Sequence, residues 1–382
     1  MRRLSIALCV LAGMFMIFMV RRRAAEEATL LIAYRRIDVL GPGGGLVDVL
    51  LVDAVREDLT RIVGHDITGA LVVRLLSSSG PGGSSEAHLG ALGVCCVSNP
   101  RTREVWGVDS GGRVVSLSDG DPRTNEVYAP RLLYELSRVL APTTSDEGVV
   151  MMLVGRVESA NDSLRLGSMA WYGGKWSQRA RAAMPLRFGS PVAVTLRKGW
   201  ASQPASAEVG LEVPFQSRPM YAVCATGRFA AIESNLFDLR IFDESGRLHA
   251  RVVRPELQGP MLTDREVKRV ERSLERTALL FGVSRASLGP ALPSRRPVLL
   301  TITCNSSGQF VLERTTAETE RRVDVYDEGG RRIAAFRLPP DVHLILSSVS
   351  ASGGIGYRTR DGRVAEIVDL RVASLVREGA RK

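Results

Sequence analysis

Histidine and lysine are scarce in this 382-residue chain, four of each. The histidines, His65, His88, His249 and His343, are widely separated, and none forms a metal-ligand pair by spacing. Each reads as a surface or locally satisfied residue, and no metal site is expected. There are five cysteines, Cys9, Cys95, Cys96, Cys224 and Cys304, and none stands in a C-x-x-C. That excludes zinc-ribbon and thioredoxin-type readings. A bond between neighbours Cys95 and Cys96 would be strained. Buried free thiols are the expectation, with pairing of Cys95 or Cys96 to Cys224 or Cys304 left open.

Nucleophile and phosphate signatures are missing too. No G-x-S-x-G elbow occurs. Gly43-Gly44-Gly45 and Gly173-Gly174-Lys175 read as turns, since Trp176 follows the lysine where a P-loop needs Ser or Thr. Asp119-Gly120-Asp121 fails as a calcium loop because Arg123 takes the next ligand position. Asn161-Asp162-Ser163 is a glycosylation sequon by pattern alone. No catalytic residue and no cofactor is expected.

The charge balance is +10, but it contains no basic block that would track a phosphate backbone. Arg2, Arg3, Arg21, Arg22 and Arg23 flank the first apolar run. The remaining 359 residues carry 46 basic against 41 acidic side chains, a net of +5 and well interspersed. Nucleic acid is not an expected partner.

What is present begins with that run, Leu4 to Val20, seventeen residues without a charge. As a helix it just reaches across a thin hydrocarbon core. Three arginines follow it before Ala24-Ala25, so an uncleaved signal-anchor fits better than a signal peptide. Arginines on both sides leave its orientation open.

Beyond residue 24, short β-type runs alternate with turns. Three windows look alike: Gly107–Leu117, Ile241–Val252 and Val325–Phe336, each a strand ending in Asp, a turn ending in Gly, then Arg and a second strand. Asp folds its carboxylate back on the turn and Gly supplies positive φ. An earlier turn, Thr226-Gly227, matches Ser307-Gly308. The glycines lie 81 residues apart, and Asp243 and Asp327 lie 84 apart. This offset suggests two repeats of about 40–45 residues, the size of a propeller blade. A last turn, Arg360-Asp361-Gly362-Arg363, leads into Val364–Val372 as a closing blade.

One segment breaks the pattern. Thr263-Asp264-Arg265-Glu266 is a capping box. Val267, Val270, Leu274, Ala278 and Phe281 follow at helical spacing, and Gly282 supplies the stop. Leu288–Pro297 is a proline-rich connector back to the β pattern. Gly41–Gly45 and Ser77–Ser85 read as loops.

These turns resemble the bacterial exported six-bladed β-propellers of the NHL-repeat and TolB-like groups. The resemblance rests on Asp243-Gly246-Arg247 and Asp327-Gly330-Arg331, on Val213-Pro214-Phe215, on Arg296-Pro297 with Cys304 to Val311, and on Leu338-Pro339 with Leu344–Val372. Ser79-Gly80-Pro81-Gly82 echoes an early loop of that family. The resemblance is carried mainly by residues 200–372. It implies an all-β, six-bladed propeller over 28–375, with a helical insert at about 262–282, behind a hydrophobic N-terminal helix within 1–23.

The function expected is a non-catalytic binding or scaffold module for a protein, peptide or carbohydrate. It would be a monomer in the cell envelope, periplasmic or extracytoplasmic, anchored through the N-terminal helix. A lyase or hydrolase with its site at the channel mouth is the alternative. The candidate ligand platform is the aromatic set Trp171, Tyr172, Trp176 and Trp200, beside Gly173-Gly174.

Overall fold

The computed structural model describes residues 29–38, 46–49, 51–56, 59–67, 71–77, 86–89, 92–98, 105–109, 114–117, 138–144, 150–158, 163–172, 175–184, 193–198, 207–224, 226–289, 291–316 and 320–372. Strand β1 (Thr29–Asp38) is followed by sheet I, made of β2 (Leu51–Arg56), β3 (Leu59–His65), β4 (Leu71–Ser77) and β5 (Glu86–Leu89). Sheet II holds β6 (Leu92–Ser98), β7 (Val105–Asp109) and β8 (Val114–Leu117). Sheet III holds β9 (Arg138–Thr144), β10 (Val150–Glu158), β11 (Ser163–Tyr172) and β12 (Lys175–Met184). A separate hairpin, β13 (Ala193–Lys198) and β14 (Ala207–Glu212), precedes sheet IV.

Sheet IV comprises β15 (Pro219–Val223), β16 (Phe229–Glu233), β17 (Leu236–Phe242) and β18 (Leu248–Val253). After helix α1 (Asp264–Phe281) comes sheet V, with β19 (Leu299–Cys304), β20 (Phe310–Thr315), β21 (Arg321–Tyr326) and β22 (Arg332–Arg337). Sheet VI contains β23 (Val342–Ser350), β24 (Gly353–Arg360) and β25 (Arg363–Val372). Its fourth strand is β1, antiparallel to β25 from Leu31↔Val372 to Asp38↔Glu366. A short parallel contact, Thr29↔Phe336 and Leu30↔Arg337, joins β1 to the edge of sheet V.

The sheets are antiparallel meanders, and their first strands run side by side: β2 with β6, β6 with β9, β9 with β15, β15 with β19, and β19 with β23. Sheets VI and I meet through an apolar cluster of Ile345, Val364 and Ile367 with Leu46, Val49, Ile62 and Val72. Central strands therefore bury both faces. In sheet V, Phe310, Leu312 and Tyr326 pack toward sheet IV. Val311, Val323 and Val325 pack toward sheet VI. Two-sided burial also forces the charged residues Glu313, Arg314 and Asp324 of these strands into the interior, where they need partners.

The repeated turns are built as their residues require. Asp243 Oδ1 accepts the amides of Ser245 and Arg247, both at 2.9 Å. Asp327 Oδ1 accepts those of Gly329 and Arg331 at 3.1 and 2.8 Å. Gly246 and Gly330 take φ of 82° and 78°. Asn305 repeats the device in its own turn, accepting from Ser307 and Gln309. The third window is not equivalent, however. Its turn joins β7 to β8, the second and third strands described in sheet II, whereas the other two join third to fourth strands.

The 81- to 84-residue offset also has a different origin from two repeats. It spans one sheet plus the inserted helix, since sheets IV and V are consecutive. The insert is zippered at its base: Leu262 N donates to Ser294 O at 2.9 Å and Arg296 N to Pro260 O at 2.9 Å. Gly259 permits this closure, because a Cβ there would lie 2.1 Å from Arg296 O. The sheet-to-sheet spacing thus survives a long excursion between its ends.

Helix α1 carries the full capping box. Thr263 Oγ1 accepts from Glu266 N, and Glu266 Oε2 accepts from Thr263 N at 3.0 Å. Val270, Leu274 and Ala278 are buried against Leu288 and Phe215, with Phe281 packed alongside. Gly282, at φ 67°, ends the helix. Thr263→Ala is expected to lower stability by about 1 kcal/mol. Thr263→Ser should restore most of it; equal urea midpoints for wild type and Thr263→Ala would contradict this role of the cap.

One cysteine expectation is corrected. Cys224, at the end of β15, is bonded to Cys304, at the end of β19, with Cα atoms 5.2 Å apart and 80 residues between them in sequence. The two thiols are neither free nor bonded to Cys95 or Cys96. Both cysteines stand where a first strand runs into its turn, although the 81-residue offset that aligns Gly227 with Gly308 matches Cys224 to Asn305. Adjacent first strands then bring their Cβ atoms within bonding reach. No helix among the described residues is long and apolar enough to cross a membrane, and Leu4–Val20 lies outside those residues.

Candidate functional site

Each sheet has two ends. At one end lie the turns after Cys224 and Cys304, the Ser350–Gly353 turn and the Asp243 and Asp327 hairpins. Asn305 Nδ2 donates to Val349 O there at 2.7 Å, and Arg228 pairs with Glu328. At the other, crossover, end the chain passes between sheets. Arg218 Nη2 there donates to Leu300 O at 3.3 Å, and Val364 N to Leu46 O at 2.6 Å.

A grouping of titratable side chains forms at the crossover end, where sheets V, VI and I meet. Leu338-Pro339 turns the chain from β22 into β23, exposing the Val342 carbonyl to sheet V. Arg321 Nη1 donates to that oxygen at 2.7 Å, and its Nε donates to Glu313 Oε1 at 2.7 Å. Glu313 is buried, so its carboxylate needs this cation. His343 comes next on β23 and faces the other way. It lies opposite Tyr357 of β24, and the rings stack at 5.0 Å and 17°.

Tyr357 carries the grouping into sheet I. The Val49 amide hydrogen-bonds to its oxygen, with Asp48 close by. Asp48 accepts the His65 backbone amide at 2.8 Å and faces His65 Nδ1 at 3.0 Å. Arg358 closes the corner, with its Nε 2.7 Å from Asp341 Oδ2 and its Nη1 3.2 Å from Glu366 Oε2.

Burial and the Asp48 charge push the Tyr357 phenol up. Burial, reinforced by the positive Arg321, pushes the His343 imidazole below its ordinary 6.5, against the opposing pull of Glu313. The unfolded chain then binds more protons than the folded one between the two values. The contribution of His343 to stability is therefore present above 6.5 and lost as pH falls below it through the lower folded value. An NMR titration of wild type should place His343 below 6.5, and Arg321→Gln should raise it. An unchanged value in Arg321→Gln would remove Arg321 from this role.

Glu313, Asp341 and Glu366 are each paired with an arginine, and Asp48 faces His65. The corner is thus suited to contact through stacked rings and guanidinium planes more than to general-base chemistry. Among the described residues no group of three His, Cys, Asp or Glu side chains is placed to hold a metal ion.

The residues singled out in the sequence fall in several places. Trp171 pairs in register with Trp176, and Tyr172 with Lys175, across β11 and β12. These positions lie at the end of the third strand and the start of the fourth strand of sheet III. Trp200, Gly43–Gly45, Gly173-Gly174, Asp119–Asp121 and Asn161 lie outside the described residues. His88 pairs with Val72 in β5, and His249 is exposed on β18. His343, isolated in the sequence, stacks on Tyr357, and His65 holds Asp48, whose charge acts on the same phenol. The sequence did carry a sign of this corner in Gly353-Gly354-Ile355-Gly356-Tyr357. A Cβ at Gly356 would meet the His343 carbonyl at 2.7 Å, so β23 and β24 approach closely beneath the stacked rings.

No protein-family model matches the chain, and no curated protein matches it. Among solved structures it is similar to BBS1N in complex with ARL6DN, at 8% identity and a TM-score of 0.39, over 91% of this chain and 98% of that one. It is also similar to the C-terminal WD40 domain of Sif2, at 8% identity and TM-score 0.36, over 91% and 99%. The WD40 β-propeller domain of Doa1 gives 13% identity and TM-score 0.37, over 89% and 96%. TM-scores this low carry no weight for the site.

Proposed function

We propose that this chain is a six-bladed β-propeller that acts as a binding module outside the cytoplasm, tethered by its N-terminal apolar segment. Six side-by-side first strands, β2, β6, β9, β15, β19 and β23, support the blade number. The β13–β14 hairpin lies outside that succession, because β9 neighbours β15 directly. Closure of sheet VI by β1 supports a ring sealed by strands from both parts of the chain. The likeness of the Asp-Gly-Arg hairpins to exported NHL-repeat and TolB-like propellers agrees with this reading.

The Cys224–Cys304 bond is the observation that carries the location, since structural disulfides persist in oxidising compartments. For binding, the support is the crossover corner itself, where an aromatic pair is framed by charges already in pairs. Its partner would be a protein or peptide that presents an aromatic or a carboxylate to the ring face and guanidinium groups.

A reporter active only in the cytoplasm, fused after Lys382, should be silent. A photo-crosslinking residue at His343 should give a discrete protein adduct in cells, and the same residue at His249 should not. An active reporter defeats the location, and adducts at both positions or at neither defeat the binding face.

A further inference from the structure

We infer that the outward face of helix α1 is a docking surface for an anionic phospholipid bilayer, through a row of cations that ends in two exposed leucines. Along the chain the charges of α1 are interspersed, from Asp264-Arg265-Glu266 to Glu275-Arg276. The helix sorts them. At about 3.6 residues per turn, Arg265, Lys268, Arg269, Arg272 and Arg276 fall within about one third of the circumference. All five are exposed. Leu279 and Leu280 continue the same face and are 82% and 63% exposed. Val270, Leu274 and Ala278, on the opposite side, are buried against the domain.

The acids of the helix are held off this face. Glu266 bonds Thr263 at the cap and pairs with Arg296, and Glu271 pairs with Arg285 at 2.8 Å. Asp264 and Glu275 lie on the flank with Glu271. Among the described residues none of the five cations is paired with a carboxylate. Arg265 and Arg269, Lys268 and Arg272, and Arg272 and Arg276 are like charges one turn apart, a spacing that disfavours the helix. A layer of anionic headgroups relieves that repulsion.

The leucines select the occupant. A nucleic-acid backbone has no use for them, and the face carries no aromatic ring on which bases could stack. A bilayer takes both parts: phosphates for the guanidinium groups, and an apolar zone below them for Leu279 and Leu280. It also needs no pocket, which suits the convex ridge of a single helix. This contact goes beyond the tethered reading above and involves none of the residues before Thr29.

The test uses the full chain with Cys9, Cys95 and Cys96 replaced, the Cys224–Cys304 bond kept, and one fluorophore at Ser273→Cys, on the flank of the row. Vesicles carrying a headgroup-nitroxide lipid are made of phosphatidylcholine alone or mixed with phosphatidylglycerol. Quenching should be several-fold stronger in the mixed vesicles, and a fluorophore at Ser352→Cys should show no such difference. Arg269→Gln, Arg272→Gln and Arg276→Gln together should weaken the contact on the order of a hundredfold and remove the difference. High salt should do the same. Glutamine favours a helix as arginine does, so the urea midpoint should hold. Equal quenching in the two lipids, or a difference that survives the triple variant, overturns the inference. So does an anisotropy rise with polyglutamate, lost in the triple variant and without lipid-dependent quenching, which would assign the face to an acidic protein. Flotation with phosphatidylcholine vesicles reports on the tether alone, so the two readings fail separately.

Discussion

Replacing Cys224 and Cys304 together by alanine is expected to lower the unfolding free energy by about 4 kcal/mol, the loop-entropy value for a bridge closing some 80 residues. The bond ties the ends of β15 and β19, so its loss acts on the junction of sheets IV and V. Both sulfurs sit in the apolar cluster with Met220, Ala222, Phe310 and Leu312. Native protein should therefore yield neither thiol to an alkylating reagent under mild reductant, and both once urea is added. A urea midpoint unchanged in the double variant would show that packing between the sheets, not the cross-link, holds this junction. The loop includes the zippered insert, so residual pairing of Pro260–Leu262 with Ser294–Arg296 in the unfolded chain would reduce the effect.

The second large effect is expected at Asp324. This carboxylate is fully buried on β21, with Arg314 Nε 2.5 Å from one oxygen and Arg332 Nη1 3.5 Å from the other. Arg314 is buried almost as deeply. Burial, and then the Asp324 charge, hold the neighbouring Tyr326 phenol protonated far above its ordinary range. Asp324→Asn leaves two guanidinium groups without a counter-charge between sheets IV and V, and should cost about 3–5 kcal/mol. The double variant Arg314→Met, Asp324→Leu should recover much of that loss, because apolar side chains remove the desolvation penalty along with the attraction. Urea unfolding of both proteins checks the pair. If the double variant is no more stable than Asp324→Asn, the penalty arises from lost packing and not from an uncompensated charge.

Local chemistry was legible in the chain wherever one turn or one helix contained its whole cause. Asp243, Asp327 and their glycines specify their hairpins through bonds that span at most four residues. Thr263, Glu266 and Gly282 set the limits of α1 in the same way. The platform expected from Trp171, Tyr172 and Trp176 was read from composition. Backbone register sets position 171 opposite position 176 in neighbouring strands.

The corner of Arg321, His343 and Tyr357 needed the third dimension. Asp48 and His65 come from sheet I, Glu313 and Arg321 from sheet V, and His343 and Tyr357 from sheet VI. No sequence period relates them; closure of the last sheet onto the first does.

The N-terminal apolar segment shows the same division. The sequence by itself determined that seventeen uncharged residues stand before the first strand, because hydrophobicity over a short run is a local property. It also determined the hairpins, the helix and the β-rich class. Only the tertiary structure decided that β1 completes the last sheet beside β25 and touches the edge of sheet V. It decided the Cys224–Cys304 bond for the same reason. Pairings across tens or hundreds of residues are chosen by which sheet faces bury each other, and that choice is made by the whole chain at once.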